Sequence, residues 1–320
     1  MKKIVTIGGG TGTFVVLSGL KELPGVSLTA IVSVLDDGGS TGRLRDAYGF
    51  LPHGDARQAL IALADETALT RTLFAYRFSK GDVAGHNFGN LFLTALTDIL
   101  GSDAKAIEEA SAILRVKGNV IPVSTRAGTL VAHLGNGETV VGEHLIDTRT
   151  PGRSPIVSLA TKEPAEVCDD AKQAIAEADM IILGPGDLYA STLANFAITG
   201  LTKSVAESRA RLVYIVNLFT KAGETDGYGA KRHVDEITRY TNRKPDIVLL
   251  HSGFFEPSVL AHYAEEKEFP VADDLGADVS IIRGHFADIM VAEKVPGDRV
   301  PRSLIRHDPE KIAEEIQKLL

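Results

Sequence analysis

The sequence predicts an α/β fold: a Rossmann-like, mostly parallel sheet flanked by helices, with a β-rich insertion. Three observations lead there. Short Val- and Ile-rich runs alternate with helical patterns along most of the 320 residues. The first two runs are joined by about 20 residues, the length a parallel crossover needs. Four of the runs end in clusters of Gly, Asp, Ser or Asn, as strands do where a parallel sheet meets a ligand.

The first run, residues 4–7, ends in Gly8-Gly9-Gly10-Thr11-Gly12. It passes into a helical pattern over 13–21 that Pro24-Gly25 stops. Residues 28–35 form the second run, ending at Asp36-Asp37-Gly38-Gly39. Helical spacing then covers 54–75, 86–100 and 107–114; the second of these opens on Gly85-His86-Asn87 and carries Leu91, Leu93, Leu96 and Ile99. Between 120 and 157 the helical period disappears, and Asn136-Gly137 signals a hairpin turn. An antiparallel subsheet is expected there. Alternation resumes with a helix over 172–178 and strands at 180–183, 212–217 and 246–251. A short apolar run at 279–282 and a helix over 309–320 close the chain. No repeat or long linker interrupts it, so residues 1–320 are expected to form one unit, with the insertion at about 120–157.

Composition narrows the function. With 44% hydrophobic residues the chain can bury a core without covalent staples. Cys168, the one cysteine, excludes an intramolecular disulfide and a Cys-rich zinc site, and its helix-like, acidic setting disfavours a thiolate. A net charge of −8 removes the electrostatic footprint of non-specific nucleic-acid binding, while a local phosphate pocket needs only a few basic residues. No apolar run reaches 18 residues, so no membrane span is expected. The apolar stretch after Lys2-Lys3 reaches Gly8 after four residues, too short for a signal-peptide core. A cytoplasmic location follows as the expectation.

The strand ends carry the candidate chemistry. In the first turn, Gly9, Gly10, Thr11 and Gly12 let backbone approach a ligand while the following helix N-terminus favours an anion. No Walker Lys-Ser/Thr follows. The third glycine of a dinucleotide fingerprint is also missing: Thr13 or Val15 stands there, depending on the frame. Asp36 does stand about 20 residues on, but nicotinamide chemistry is disfavoured. In the second cluster, Asp36 and Asp37 suit a divalent ion or a ribose hydroxyl. Gly38, Gly39, Ser40 and Thr41 suit phosphate, and Arg43 and Arg45 suit oxyanions. The other reading of this stretch is a flexible polar loop with Asp36 as a cap.

Asp55, opening a helix after Pro52-His53-Gly54, is either a site carboxylate or a partner of the helix dipole. His86, with Asn87 and Asn90 in Gly85-His86-Asn87-Phe88-Gly89-Asn90, has no second histidine at metal-ligand spacing. Gly186 lies in Gly184-Pro185-Gly186-Asp187 after the third of these strands. Asn217, with Thr220, Gly223, Glu224 and Thr225, suits recognition of a base or sugar, or forms a surface loop. His233 and His251 show no partner in the sequence and read as structural.

Taken together and in this order, the motifs Gly8–Gly12, Asp36-Asp37-Gly38-Gly39-Ser40-Thr41-Gly42-Arg43-Leu44-Arg45, Gly85-His86-Asn87-Phe88-Gly89-Asn90-Leu91, Gly184-Pro185-Gly186-Asp187-Leu188-Tyr189 and Gly223-Glu224-Thr225-Asp226-Gly227-Tyr228 resemble the YvcK-like gluconeogenesis factors. The resemblance runs from about residue 4 to 255 and is weak beyond. It implies a Rossmann-like core and binding of UDP-sugars, notably UDP-N-acetylglucosamine. It also implies roles in carbon-source adaptation, cell shape and cell-wall synthesis. The first turn and residues 37–43 would hold the diphosphate, and Asn217 and its neighbours the nucleoside. Relatives of that family include the 2-phospho-L-lactate transferases. In those, Asp55 matches the segment of a metal- and acceptor-proximal aspartate, so if this chain is a transferase, Asp37 and Asp55 would hold Mg2+.

This chain departs from the family at Gln58, where YvcK-like proteins usually carry Asn. It also lacks the transferases' Pro-Asp-x-Asp-Thr pattern. The expectation is therefore a UDP-sugar sensor acting on a regulatory protein partner, with self-association allowed. A metal-dependent phospholactyl-type transferase is the alternative.

Overall fold

Strand β1 (Lys2–Gly8) shows how the sequence writes a doubly covered parallel strand. Val5 and Ile7 join one hydrophobic core and Ile4 the opposite one, with period two. The fold is described from a computed structural model that covers residues 1–65, 68–278, 280–289 and 305–320.

From β1 the chain enters α1 (Gly10–Leu20), then β2 (Val26–Val32), α2 (Gly39–Tyr48), α3 (Gly54–Leu63), α4 (Ala68–Ala75), α5 (Phe88–Leu100) and α6 (Asp103–Ile113). It returns to the sheet as β3 (Asn119–Pro122). Next come β4 (Leu130–Leu134), β5 (Thr139–Val141), α7 (Glu143–Asp147), β6 (Ile156–Thr161) and α8 (Asp169–Ala176). The second half runs β7 (Met180–Leu183), two short irregular helical turns over 188–197, α9 (Leu201–Glu207), β8 (Arg211–Ile215), α10 (Ala230–Thr241), β9 (Ile247–His251) and α11 (Pro257–Glu265). It closes with β10 (Ile281–Gly284), β11 (Ala287–Ile289), β12 (Ile305–His307) and α12 (Pro309–Leu319).

Among the described residues the main sheet has seven strands in the order β10-β9-β8-β7-β1-β2-β3. All its pairings are parallel. The chain runs outward from β1 through β2 to β3, then returns to β7 on the other side of β1. The topological switch therefore lies between β1 and β7, where a crevice opens beyond the strand ends. One face is covered by α1, α3, α6 and α12, through residues such as Leu17, Leu60, Ile107 and Ile316. The other is covered by α8, α9, α10 and the small sheet, through Ile175, Val205, Ile237 and Ala132.

The β-rich insertion is a three-stranded antiparallel sheet, β5-β4-β6, with its hairpin at residues 135–138 and Gly137 at φ +86°. Its limits differ from the sequence reading. Residues 119–122 belong to the main sheet as β3, beside β2, and the subsheet continues to Thr161. A short helix, α7, also lies inside it.

Two other expectations need correction. The helical pattern over 54–75 is broken after Leu63, because Ala64 turns to extended backbone and bridges Val116; residues 66–67 lie outside the described residues. The stretch after Asp37 does not stay a loop, since α2 begins at Gly39. The apolar run at 279–282 becomes β10, starting at Ile281, while Val279 lies outside the described residues. No helix among the described residues is long and apolar enough to cross a membrane.

Candidate functional site

A cavity of about 590 Å³ opens at the switch point. Its floor is the turn after β1, with Gly9, Gly10, Thr11 and Gly12 on the wall. Gly186 and Asp187 after β7, and Asn217 and Thr220 after β8, complete the strand-end side. The geometry of the turn dictates its glycines. Gly10 takes a left-handed φ of +67°. A Cβ on Gly12 would stand 2.1 Å from the Pro185 carbonyl oxygen, so the β1 and β7 loops touch backbone to backbone there. Asn217 extends this contact by donating its Nδ2 to the Gly186 carbonyl at 2.8 Å.

The cavity is lined by charged side chains of both signs. Arg57 of α3, Arg71 of α4, Arg77 just beyond α4, and Arg306 of β12 line it. Arg77 is fixed by donating Nη1 to the Gly85 carbonyl at 2.9 Å. Lys221, Asp147, Asp187 and Glu268 also line the cavity. Lys221 Nζ lies 3.3 Å from Asp147 and 3.7 Å from Asp187. Burial pulls the Lys221 pKa down, but Asp187, Asp147, Glu268 and Glu224 more than reverse this and hold the ammonium charged. Behind them Glu224 accepts the Ala190 N–H at 2.7 Å. Burial, with Asp187 adding to it, pushes Glu224 up to about 8, and burial takes Asp187 up to about 6.

Beneath the glycine turn sits a second acidic group. Asp55 accepts the Gly10 N–H at 2.8 Å, and its carboxylate lies where a Cβ on Gly9 would be. Burial first and the Asp36 charge second raise its pKa to about 7. Asp36 is itself pushed up by burial, against the hydrogen bonds it accepts from Gly38 and Thr41. Glu143, at the start of α7, is driven up to about 10 by burial and by the Asp36, Asp147, Asp55 and Asp37 charges. Asp37 instead reaches the insertion, accepting the His144 N–H at 2.8 Å.

The sequence-predicted residues therefore fall into two groups. Gly9, Gly10, Thr11, Gly12, Asn87, Gly186 and Asn217 meet at the cavity. Ser40, Thr41, His86 and Asn90 bond largely with one another instead. Ser40 Oγ lies 3.1 Å from His86 Nδ1 and accepts the Asn87 N–H at 3.3 Å. Asn90 Nδ2 donates to Thr41 Oγ1 at 3.3 Å, and Asn87 caps α5 by accepting the Asn90 N–H. This network ties α2 to the start of α5. Arg43 is exposed beside Gly85, while Gly38 and Gly39 form the entry to α2. Asp36 and Asp55 lie under the cavity rather than on its wall.

Sequence reading missed Arg71, Arg77, Lys221, Glu143, Glu268 and Arg306. None sits in a glycine-rich motif. Glu143 alone had a local signal, as the acidic residue opening a short helix after Gly142.

Comparison with known proteins places this geometry. Residues 4–287 match the family model described as 2-phospho-L-lactate transferase CofD. A relative from Aquifex aeolicus is 40% identical over 100% of this chain and 98% of its own. The gluconeogenesis factor of Bacillus subtilis is 37% identical over 99% of this chain and 98% of its own. These relatives align through the C-terminal segment, where the motifs had given little. The crystal structure of a UPF0052 family member from Bacillus halodurans superposes with a TM-score of 0.89 at 37% identity, covering 99% of both chains. The switch-point cavity, its glycine turn and this match over nearly the whole length lead to one assignment: the chain belongs to the CofD family, within its gluconeogenesis-factor branch of UPF0052 or YvcK-like proteins.

Proposed function

We propose that this protein binds a UDP-sugar, UDP-N-acetylglucosamine first among them, and reports its level to a protein partner. Through that report it would link carbon metabolism to cell shape and cell-wall synthesis. The observation that carries this reading is the switch-point cavity, lined by the glycine turn and by charged side chains of both signs. Glycine-turn amides at a helix N-terminus and the arginines 57, 71, 77 and 306 suit a diphosphate. The carboxylates of Asp147, Asp187 and Glu268 suit the hydroxyl donors of a sugar. A volume of about 590 Å³ is in the usual range for small-molecule sites. The resemblance to YvcK-like proteins supplies the UDP-sugar class and the cytoplasmic setting.

A second reading, a phospholactyl-type transferase, is favoured by the crowded carboxylates Asp36, Asp55 and Glu143. Their oxygen-only donor set suits Mg2+, which is often held by one or two carboxylates together with ligand phosphates. Among the described residues no group of three or more His, Cys, Asp or Glu is arranged as a metal site, so the ligand's phosphates would have to complete it. Asp36 and Asp55 would hold the ion, with Asp37 nearby in the same acidic loop. When bound, the ion would neutralise charge on the diphosphate.

Calorimetric titration with UDP-N-acetylglucosamine, with and without Mg2+, followed by chromatography of the nucleotide, separates the two. Binding with the ligand recovered intact is expected. Consumption of a nucleotide-linked donor only when Mg2+ is present would replace the sensor with the transferase.

A further inference from the structure

Glu224, in the loop after β8, is only 4% exposed and is not among the residues that line the cavity. Its Oε1 accepts the Ala190 N–H at 2.7 Å, while its Oε2 is buried with no hydrogen-bond partner among the described residues. A bare anionic oxygen is costly in such a place, whereas a protonated carboxyl loses far less on leaving water. The bond to Ala190 sets Glu224 directly behind the site. Ala190 precedes Ser191, which lines the cavity with its Oγ 3.6 Å from where a Cβ on Gly10 would be. The same turn begins at Asp187, whose carbonyl accepts the Ser191 and Thr192 N–H groups at 3.1 and 2.9 Å. Glu224 therefore ties the turn after β7 to the loop after β8, and through that turn it holds Ser191 beside the glycine turn.

The charges around Glu224 do not balance. Asp187, Asp147 and Lys221 act on it directly, and Glu268 draws on the same lysine. Lys221 is already committed, with Nζ 3.3 Å from Asp147 and 3.7 Å from Asp187. Arg149, from the insertion, donates Nη2 to the Ser154 carbonyl and divides its attraction between Glu224 and Asp226. From β8 comes Tyr214, whose buried hydroxyl is pushed up by burial and by the Glu224 charge. Four carboxylates around one lysine cannot all ionise out of water. Burial first and Asp187 second push Glu224 up to about 8, against the pull of the Ala190 N–H and Lys221, so the carboxyl is largely protonated at neutral pH.

We propose that Glu224 is a positioning residue that works in its neutral form: it holds the turn over 187–192 in the cavity wall and takes up a proton when an anionic nucleotide-sugar binds. The two events are linked because a diphosphate on the glycine turn repels a negative charge behind Ser191, in a place shielded from water. The proton comes from solvent and returns there on release. Affinity is therefore full where Glu224 is protonated and falls as pH rises through its titration. This inference rests on the anion-binding reading of the cavity.

The test is calorimetric titration of the full chain with UDP-N-acetylglucosamine at about pH 6.5 and about pH 8.5, a range in which the ligand's own diphosphate does not titrate. The unaltered protein is expected to lose about three-fold in affinity across that range. Glu224→Gln keeps an oxygen for the Ala190 N–H and cannot ionise, so its loss across the range should be smaller by that same factor. Asp55 and Asp187 titrate in both proteins and cancel in the comparison. Glu224→Ala gives up the tie to Ala190 and should bind about ten-fold more weakly at both pH values. If Glu224→Gln fails to fold, Glu224→Met, equally unable to ionise, takes its place in the ratio. Equal affinity of the unaltered protein at both pH values, or an unchanged pH dependence in the Gln variant, would overturn the proton linkage and leave ligand binding standing. Full affinity in Glu224→Ala would overturn the positioning role. Failure of the unaltered protein to bind at either pH would overturn the ligand reading itself, and this inference with it.

Discussion

Asp55 holds the N–H of Gly10 at 2.8 Å, so a half-buried carboxylate fixes the turn on which the proposed diphosphate rests. The bond and the charge pull in opposite directions. Gly10 stabilises the anion, while burial and Asp36 oppose it and dominate, lifting the pKa from 3.8 to about 7.

Asp55→Asn keeps an oxygen acceptor for Gly10 and removes the charge. Because the folded-state pKa is raised, the native protein binds more protons than the unfolded chain between about pH 4 and 7, and its stability falls as pH rises through that window. The substitution should therefore raise Tm at pH 8 and have little effect at pH 4. The gain is on the order of 2 kcal/mol, given that the group is only half-buried. Thermal unfolding at the two pH values checks this. If Mg2+ is held there, the same variant should also lose any Mg2+-dependent rise in Tm.

Gly12→Ala places a methyl group 2.1 Å from the Pro185 carbonyl oxygen, a backbone atom that cannot swing aside. The β1 and β7 loops must separate. A loss of about 3 kcal/mol in stability is expected, together with loss of pyrophosphate binding, read by denaturant unfolding and calorimetry.

Arg57→Ala should weaken pyrophosphate and UDP alike, about ten-fold or more at low salt, and flatten the salt dependence of binding. Arg57→Lys should recover only part of this, because an ammonium cannot present the planar fork. Titrations at two ionic strengths distinguish charge from geometry.

Lys221→Met strips the positive charge from the Asp147, Asp187, Glu224 and Glu268 group. Asp187, Glu224 and Glu268, already raised by burial, would rise further, so the variant should lose on the order of 2 to 3 kcal/mol at pH 8 and recover much of it near pH 5. Urea unfolding across that range measures the change.

Much of this arrangement could be read from the sequence, and the unreadable part has a common cause. The turn at 8–12 and strands such as 180–183 announce themselves because their chemistry is local: glycine, period two and a helix start lie within a few residues. Asp55 was visible for the same reason. The cationic lining was not, since Arg71 and Arg77 come from the α4 region and Arg306 from a strand near the other end of the chain. Only the tertiary fold brings them to one cavity. Ser40, Thr41, His86 and Asn90 show a second limit. The residue types that contact a ligand are the same ones that tie two helices together, and their hydrogen bonds here run largely within that network. His251 reads as structural in the sequence, and its Nδ1 accepts a backbone N–H from Phe286.

The contact between Gly12 and Pro185 bears on how the molecule reaches its working state. These residues are more than half the chain apart, and they meet only once β7 has returned to pair with β1. Contacts of such long sequence separation carry a high loop-closure cost and favour slow folding. A half-assembled chain can hold β1, α1 and β2 with the anion-facing amides already in place, yet it lacks the far wall of the crevice. If the crevice binds the proposed nucleotide, occupancy would report completed assembly of both halves of the sheet, and the bound ligand would act as a latch that slows unfolding.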